Sequence, residues 1–210
     1  MDVKTLKECF AATFDRMQAE VEYLSSLDAA TGDGDHGVTI GKIAAVVSEV
    51  MRDEEECTLS ETFENLSDEI MSVNGGAAVP LWSMMAGGIG EAVEDVESEI
   101  TAENVANMFE GALEGLGGIS TAKPGEKTLL DVLLPAKEAA AEYDGDDIIG
   151  MMRCAADAAV QGAENTKNMI AKFGRAKNLR EKSIGYYDPG AVSMSLIIKY
   201  LYEEAVKAGV

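Results

Sequence analysis

The chain of 210 residues is 47% hydrophobic and 26% charged, a composition that supports one globular domain with a sizeable core. Its 17 Lys and Arg stand against 38 Asp and Glu, a formal net charge of −21, which would repel a phosphate backbone and argues against a nucleic-acid partner. No apolar run approaches the roughly 20 residues that cross a bilayer, and the opening MDVKTLKECFAATFDRM lacks a signal peptide's unbroken apolar stretch, so a cytoplasmic protein with no membrane partner is expected.

From Val3 to Leu24 the apolar positions Leu6, Phe10, Phe14, Met17, Val21 and Leu24 recur at steps of three and four, which predicts one long helix with a buried stripe. A Gly/Asp-rich break at 25–37 follows. Helical spacing resumes over 38–51 and again over 60–73, 76–95, 102–117, 127–142, 147–171 and 188–207. Several ends carry start or stop chemistry: Ser60 ahead of Phe63 and Glu64, Thr101 ahead of AENVANMF, Gly117-Gly118 as a stop, and Asp188-Pro189 as a start. Strand alternation is scarce, hairpin dipeptides between β-branched runs are absent, and neither a linker nor a fixed-period repeat divides the chain. The expectation is a single all-α domain over 1–210, an eight-helix antiparallel bundle. The acidic stretch Asp53-Glu54-Glu55-Glu56 reads as a solvated loop. Cys9, Cys57 and Cys154, odd in number and far apart, read as buried thiols in a reducing compartment and not as a disulfide or zinc frame.

Three loops hold residues that helix packing does not require. The first, LDAATGDGDHG at 27–37, crowds Asp28, Asp33 and Asp35 into a glycine-rich turn. Like charges so placed repel one another unless a cation neutralises them, and an oxygen-only donor set selects Mg2+, Ca2+ or Mn2+. An EF-hand is excluded: counting from Asp33, Gly37, Val38 and Ala44 stand at the fifth, sixth and twelfth places, where Asp or Asn, Gly and Glu are required. The competing reading is an acidic turn that caps the next helix. The second loop, Asn74-Gly75-Gly76-Ala77-Ala78, precedes a helix and lets backbone N–H groups approach an anion, although glycine pairs also serve plain turns. The third, FGRAKNLREKSIGYYDPGA at 173–191, concentrates Arg175, Lys177, Arg180 and Lys182 in a chain short of positive charge. It suits an anionic ligand or, equally, its own acidic neighbours. A fourth segment, AKPGEKTLLD at 122–131, reads as a turn into a helix. Together these are the parts of a Mg2+–nucleotide site. The Walker GxxxxGK[ST] pattern, the protein-kinase signatures and a strand-linked GxGxxG are all missing, so an unrelated nucleotide fold is implied.

At these residues the chain resembles the DhaL family, the nucleotide-binding subunits of dihydroxyacetone kinases. The likeness is carried by LDAATGDGDHG, VNGGAAVPLW, TAKPGEKTLLDVLLPA and GRAKNLREKSIGYYDPGA, in order and over nearly the whole chain. The resemblance implies an eight-helix barrel that holds ADP or ATP at one end through two Mg2+ ions. Carried over by position, Asp28, Asp33 and Asp35 are the expected magnesium ligands. His36, Gly37, Val38 and Thr39 match the segment beside the phosphates, and Gly75, Gly76, Ala77 and Ala78 the phosphate turn. Ser120 and Leu129 match contacts nearer the nucleoside, Arg175 the phosphate-facing arginine, and Asp188, Pro189 and Gly190 the last nucleotide-contacting turn. Arg175 and His36 are the expected catalytic residues. The resemblance further implies a DhaK-type partner that holds a short ketose covalently on a histidine, transfer only in its presence, and assembly as a homodimer. The donor is either exchanging ATP or bound ADP recharged by a phosphoenolpyruvate-driven DhaM-type phosphotransferase protein.

The chain departs from the family at several positions. The usual Gly-Gly-Ala-Ser-Gly turn is Gly75-Gly76-Ala77-Ala78-Val79, Thr39 stands for Asn, Ser120 for Gly and Tyr186 for a second His. The carboxylate triad is intact. A catalytically degenerate, partner-binding subunit is the alternative that these departures leave open.

Overall fold

In the computed structural model, residues 1–53, 57–145 and 147–210 are described. The apolar stripe from Leu6 to Leu24 is carried by two helices, not one. Helix α1 (Val3–Ala19) and α2 (Val21–Ala29) meet at Glu20, whose φ of −91° and ψ of −3° lie at the loose edge of the right-handed helical region. No glycine or proline marks this break, and the tyrosine hydroxyl of Tyr200 donates to Glu20 Oε1 at 2.7 Å across the fold. Tertiary contact therefore overrides an unbroken period. The remaining helices are α3 (His36–Arg52), α4 (Leu59–Met71), α5 (Ala78–Ala92), α6 (Ala102–Ile119), α7 (Leu130–Ala141), α8 (Ile148–Asn165) and α9 (Pro189–Ala208). Two 3-10 segments, Thr166–Asn168 and Ala176–Ser183, fill the long connection after α8, so the helix expected over 147–171 ends early. Among the described residues there is no strand, only one isolated bridge between Asp2 and Glu99. The all-α reading holds, with the eight expected segments resolved into nine α-helices among those residues.

Several ends differ from their sequence signals. Helix α4 starts from Thr58, not Ser60: the Thr58 hydroxyl accepts from the Glu61 N–H while the Glu61 carboxylate accepts from the Thr58 N–H, a reciprocal capping box. Gly117 and Gly118 lie inside α6, which stops one residue later at Ile119. Thr101 and Asp188 do cap α6 and α9 as expected. All three cysteines are free, but only Cys9 is buried, which pushes its thiol up to about 11. Of the acidic stretch at 53–56, Glu54, Glu55 and Glu56 lie outside the described residues.

Each helix from α3 onward packs on its neighbour in sequence, and α9 returns against α1 to close the ring. Inward side chains such as Phe10, Phe63, Trp82, Met85 and Leu133 form the core, with Phe10 and Phe63 edge-to-face at 5.5 Å between centroids. The interior keeps an apolar cavity of about 120 Å³ whose lining holds no titratable side chain. This cavity therefore offers no group for polar chemistry. The α5–α6 pair packs with backbones nearly touching: a Cβ on Gly88 would overlap the Gly111 carbonyl, and one on Gly111 the Gly88 carbonyl. With α1 and α2 counted as one rod, the chain runs up and down around the ring. The connections before α3, α5, α7 and α9 then fall at one end, and these are the four segments that the sequence singled out.

Candidate functional site

Asp28 comes from the last turn of α2, and Asp33 and Asp35 from the turn before α3. One carboxylate oxygen of each lies within 4.8 Å of the other two. The backbone reverses here because Gly34 adopts a φ of +78°, and Gly37 lets the start of α3 press against the Val21 carbonyl and Ser25, where a Cβ would collide. Asp35 occupies the N-cap position of α3 but makes no side-chain cap bond. The cap comes instead from Asp28, whose Oδ2 accepts from the His36 N–H at 3.2 Å. A plain capping role accounts for Asp28 alone. It does not explain why Asp33 and Asp35 approach the same point.

Among the described residues one cation is paired with the cluster. Arg175 Nη2 lies 2.6 Å from Asp33 Oδ2, with both side chains solvent-exposed. Three carboxylates against one guanidinium leave two unbalanced negative charges, and an oxygen-only set of that charge fits a hard divalent ion. Among the described residues no ion pair involves Lys177, Arg180 or Lys182. The basic loop is therefore not consumed by its own acidic neighbours, apart from Arg175.

The other expected residues gather around this point. Thr39, buried on α3, lies against Gly75, so the Asn74–Ala77 turn sits beside the first turn of α3. The antiparallel register that pairs Gly88 with Gly111 and Met84 with Gly115, carried to the helix ends, sets Ser120 level with Val79. Ser120 closes α6, and its hydroxyl accepts from the Ala122 N–H at 3.2 Å. Leu129 is buried at the start of α7, next to Gly190. Asp188 caps α9 through its Oδ2, which accepts from the Ala191 N–H at 2.8 Å, with Pro189 as the first helical residue. His36 Nε2 is 3.1 Å from Ser193 Oγ, one turn into α9. Val38 is half exposed at the outer edge. The N-termini of α3, α5 and α9 thus converge, and their dipoles, together with the first-turn N–H groups that the Asp28 and Asp188 caps leave over, favour an anion.

Electrostatics fit that picture. Burial holds the His36 imidazole below its usual value against the pull of Asp28, a bond involving the Pro189 backbone and Asp35, so a neutral ring faces Ser193 at pH 7. Asp188 is partly accessible by area yet closely surrounded, and its desolvation pushes the carboxyl up to about 7. The Ala191 N–H and Lys127 pull the other way, and Asp131 and Asp28 add to the rise. Because the folded value lies above the unfolded one, the folded state holds an extra proton between about pH 4 and 7, and stability falls as pH rises through that window. Asp188→Asn keeps a capping oxygen and is expected to flatten this slope in metal-free urea titrations. An unchanged slope counts against a raised Asp188.

Sequence reasoning missed Lys127, Asp131 and Ser193. Asp131 Oδ1 accepts from Gly125 N–H at 2.5 Å and Oδ2 from Thr128 N–H at 2.8 Å, which shapes the turn before α7. Its place three residues after Thr128 was the only available signal.

The DAK2 domain matches residues 30–203, and the chain belongs to the DAK2-domain family. It is 33% identical over 193 residues to the ADP-binding subunit DhaL of PEP-dependent dihydroxyacetone kinase 1 from Listeria innocua, covering 91% of each chain. It is 30% identical over 189 residues to the corresponding Escherichia coli subunit, covering 89% of this chain and 90% of that one. The L-erythrulose kinase of Pectobacterium atrosepticum is 32% identical over 203 residues, which are 93% of this chain but 34% of that larger protein. Among solved structures, the dihydroxyacetone kinase from C. freundii in complex with AMP-PNP and Mg2+ superimposes with a TM-score of 0.70 at 25% identity. That match covers 96% of this chain and 33% of the other. The chain therefore spans nearly the full length of the DhaL subunits and about a third of the larger kinases. No helix of the described residues is long and apolar enough to cross a membrane.

Proposed function

We propose that this chain is the nucleotide-binding, phosphoryl-donor subunit of a short-ketose kinase of the dihydroxyacetone type. The observation that carries the reading is the meeting of Asp28, Asp33 and Asp35 with Arg175 at the shared end of α3, α5 and α9. Charge favours two Mg2+ over one. Two ions with a trianionic ADP carry one net positive charge and reduce the site's two unbalanced negative charges to one, whereas a single ion with ADP would raise them to three.

Bound Mg2+ would supply charge neutralisation of the terminal phosphates and in-line orientation. The three aspartates hold that charge in place, and the Gly75–Ala78 turn and the α3 N-terminus offer N–H groups to phosphate oxygens. Arg175 neutralises charge on the transferring group. In the transfer, the bond between the terminal phosphorus and its bridging oxygen breaks, a ketose hydroxyl oxygen bonds to that phosphorus, and the hydroxyl proton leaves to a base on the partner. This chain presents no acceptor sugar site of its own in the reading. In this reading a DhaK-type subunit supplies it and transfer requires both; relatives named as ADP-binding subunits of a kinase fit such a division of labour.

The donor is either exchanging ATP or resident ADP recharged by a DhaM-type protein. Full-length likeness to DhaL subunits of PEP-dependent kinases supports the second. The test is reconstitution with a DhaK-type partner, short ketoses and either donor system, together with analysis of nucleotide carried through gel filtration. Retained ADP and transfer driven by the phosphotransferase protein support the resident-cofactor mode. Empty protein that transfers from ATP supports exchange. Magnesium-dependent nucleotide binding with no sugar phosphate under either donor identifies instead a degenerate partner-binding subunit, which Ala78 and Val79 in the phosphate turn favour.

Arg175→Ala separates ground-state from transition-state roles. Transfer is expected to fall about a hundredfold while nucleotide affinity falls less than tenfold, because charge on the transferring group grows along the reaction. An equal loss in both assigns Arg175 to anchoring the nucleotide.

A further inference from the structure

Lys127 is the largest charged side chain in the interior, with 2% of its surface exposed. Its Nζ donates to the carbonyls of Tyr186 at 2.6 Å, Ser183 at 2.7 Å, Thr166 at 2.9 Å and Met169 at 3.4 Å. An ammonium has three protons, so four acceptors mean that one bond is shared, and Met169 is the weakest. Among the described residues no carboxylate forms an ion pair with it. Its direct partners are carbonyl dipoles, with Asp188 as a more distant attraction.

Such an arrangement is costly. Burying an ammonium carries a heavy desolvation penalty before compensation, and Lys127 also adopts a left-handed φ of +64°, a strained conformation for a non-glycine residue. Filling the space would need only an apolar side chain. What the ammonium adds is the gathering of four carbonyls from a segment with little regular structure of its own. Two of them, Thr166 and Met169, lie where that segment leaves α8, and two, Ser183 and Tyr186, lie where it approaches α9. Backbone bonds reinforce the closure: Lys172 N–H to the Glu126 carbonyl at 3.1 Å and Gly185 N–H to the Lys167 carbonyl at 2.8 Å. Asp188 N–H joins them, donating to Thr166 Oγ1 at 3.1 Å. Arg175 lies within the closed segment and Asp188 follows it directly.

We infer that Lys127 is a positioning residue: its ammonium ties both ends of the 166–188 segment to the start of α7 and so holds Arg175 and Asp188 at the site. The inference rests on the nucleotide reading for its functional half, while the tie itself is independent of any ligand.

The test uses Lys127→Met, which keeps volume and removes charge, with trypsin as the structural probe, because Lys172, Arg175, Lys177, Arg180 and Lys182 all lie in the segment. With helix content unchanged, cleavage at 172–182 is expected to accelerate about tenfold or more as the segment opens locally. ADP affinity in Mg2+ is expected to fall about tenfold, and in the double variant with Arg175→Ala the loss should not exceed that of Lys127→Met alone, since freeing the segment already withdraws Arg175 along with Asp188. Cleavage within about twofold of wild type, or losses that multiply as for independent sites, overturns the inference. Wild-type protein that binds no ADP with Mg2+ sinks the nucleotide reading, and the cleavage rates still decide the tie. Should Lys127→Met fail to fold, reductive methylation of the wild-type protein decides. Lys127 is expected to react at least about tenfold more slowly than the exposed Lys172 and Lys182, and comparable rates overturn the tie.

Discussion

Asp33→Asn is expected to weaken magnesium-dependent ADP binding about a hundredfold or more, since even residues that only support metal ligands cost about 10–100-fold. Helix content should not change. Asp33 is exposed in a turn and contributes nothing to the apolar core, and its pair with exposed Arg175 is of a kind worth about 0.2–1 kcal/mol. The substitution keeps shape and removes one of the three charges that make the cluster a cation site. Calorimetric titration and circular dichroism check the two halves together. Unaltered affinity removes Asp33 from the metal set, and lost helicity shows that the turn is structural.

The second large effect lies in the fold. Gly111→Val places a branched Cβ where the Gly88 carbonyl already sits, so α5 and α6 must separate along their contact. Overpacking of this kind costs about 3 kcal/mol or more, a large share of the roughly 5–15 kcal/mol by which domains are stable. Gly117→Ala is the control within the same helix: a Cβ there meets nothing within 4 Å, and relief of glycine's backbone entropy should stabilise by about 0.5–1 kcal/mol. Denaturant midpoints are expected to move in opposite directions. Equal small shifts would show that the two helices are not held at backbone contact.

These cases show what could be read before the structure and what could not. Helical periodicity located the rods because burial of a stripe imposes it, and the three aspartates stood out because no packing requirement explains them. Glu20 was invisible: α2 keeps the phase of α1, and the break is fixed by contacts such as Tyr200 from 180 residues away. The Thr58 cap was misplaced by two residues because Ser60 and Thr58 carry similar hydroxyl signals, and only the reciprocal bond with Glu61 separates them. Lys127 looked like any lysine in a Pro-Gly turn. Its role depends on four carbonyls 39 to 59 residues distant in sequence, and carbonyls have no residue-type signature. The Arg175–Asp33 pair was likewise beyond local pattern, although both partners had been singled out separately.

The most direct test of the central claim is a titration of the purified chain with ADP, first with Mg2+ and then with chelator in its place. Saturable binding that disappears with the metal, and that Asp33→Asn cannot recover, is the predicted result. Binding of equal strength in chelator, or none under either condition, would contradict an aspartate-held metal as the link between this helical barrel and its nucleotide.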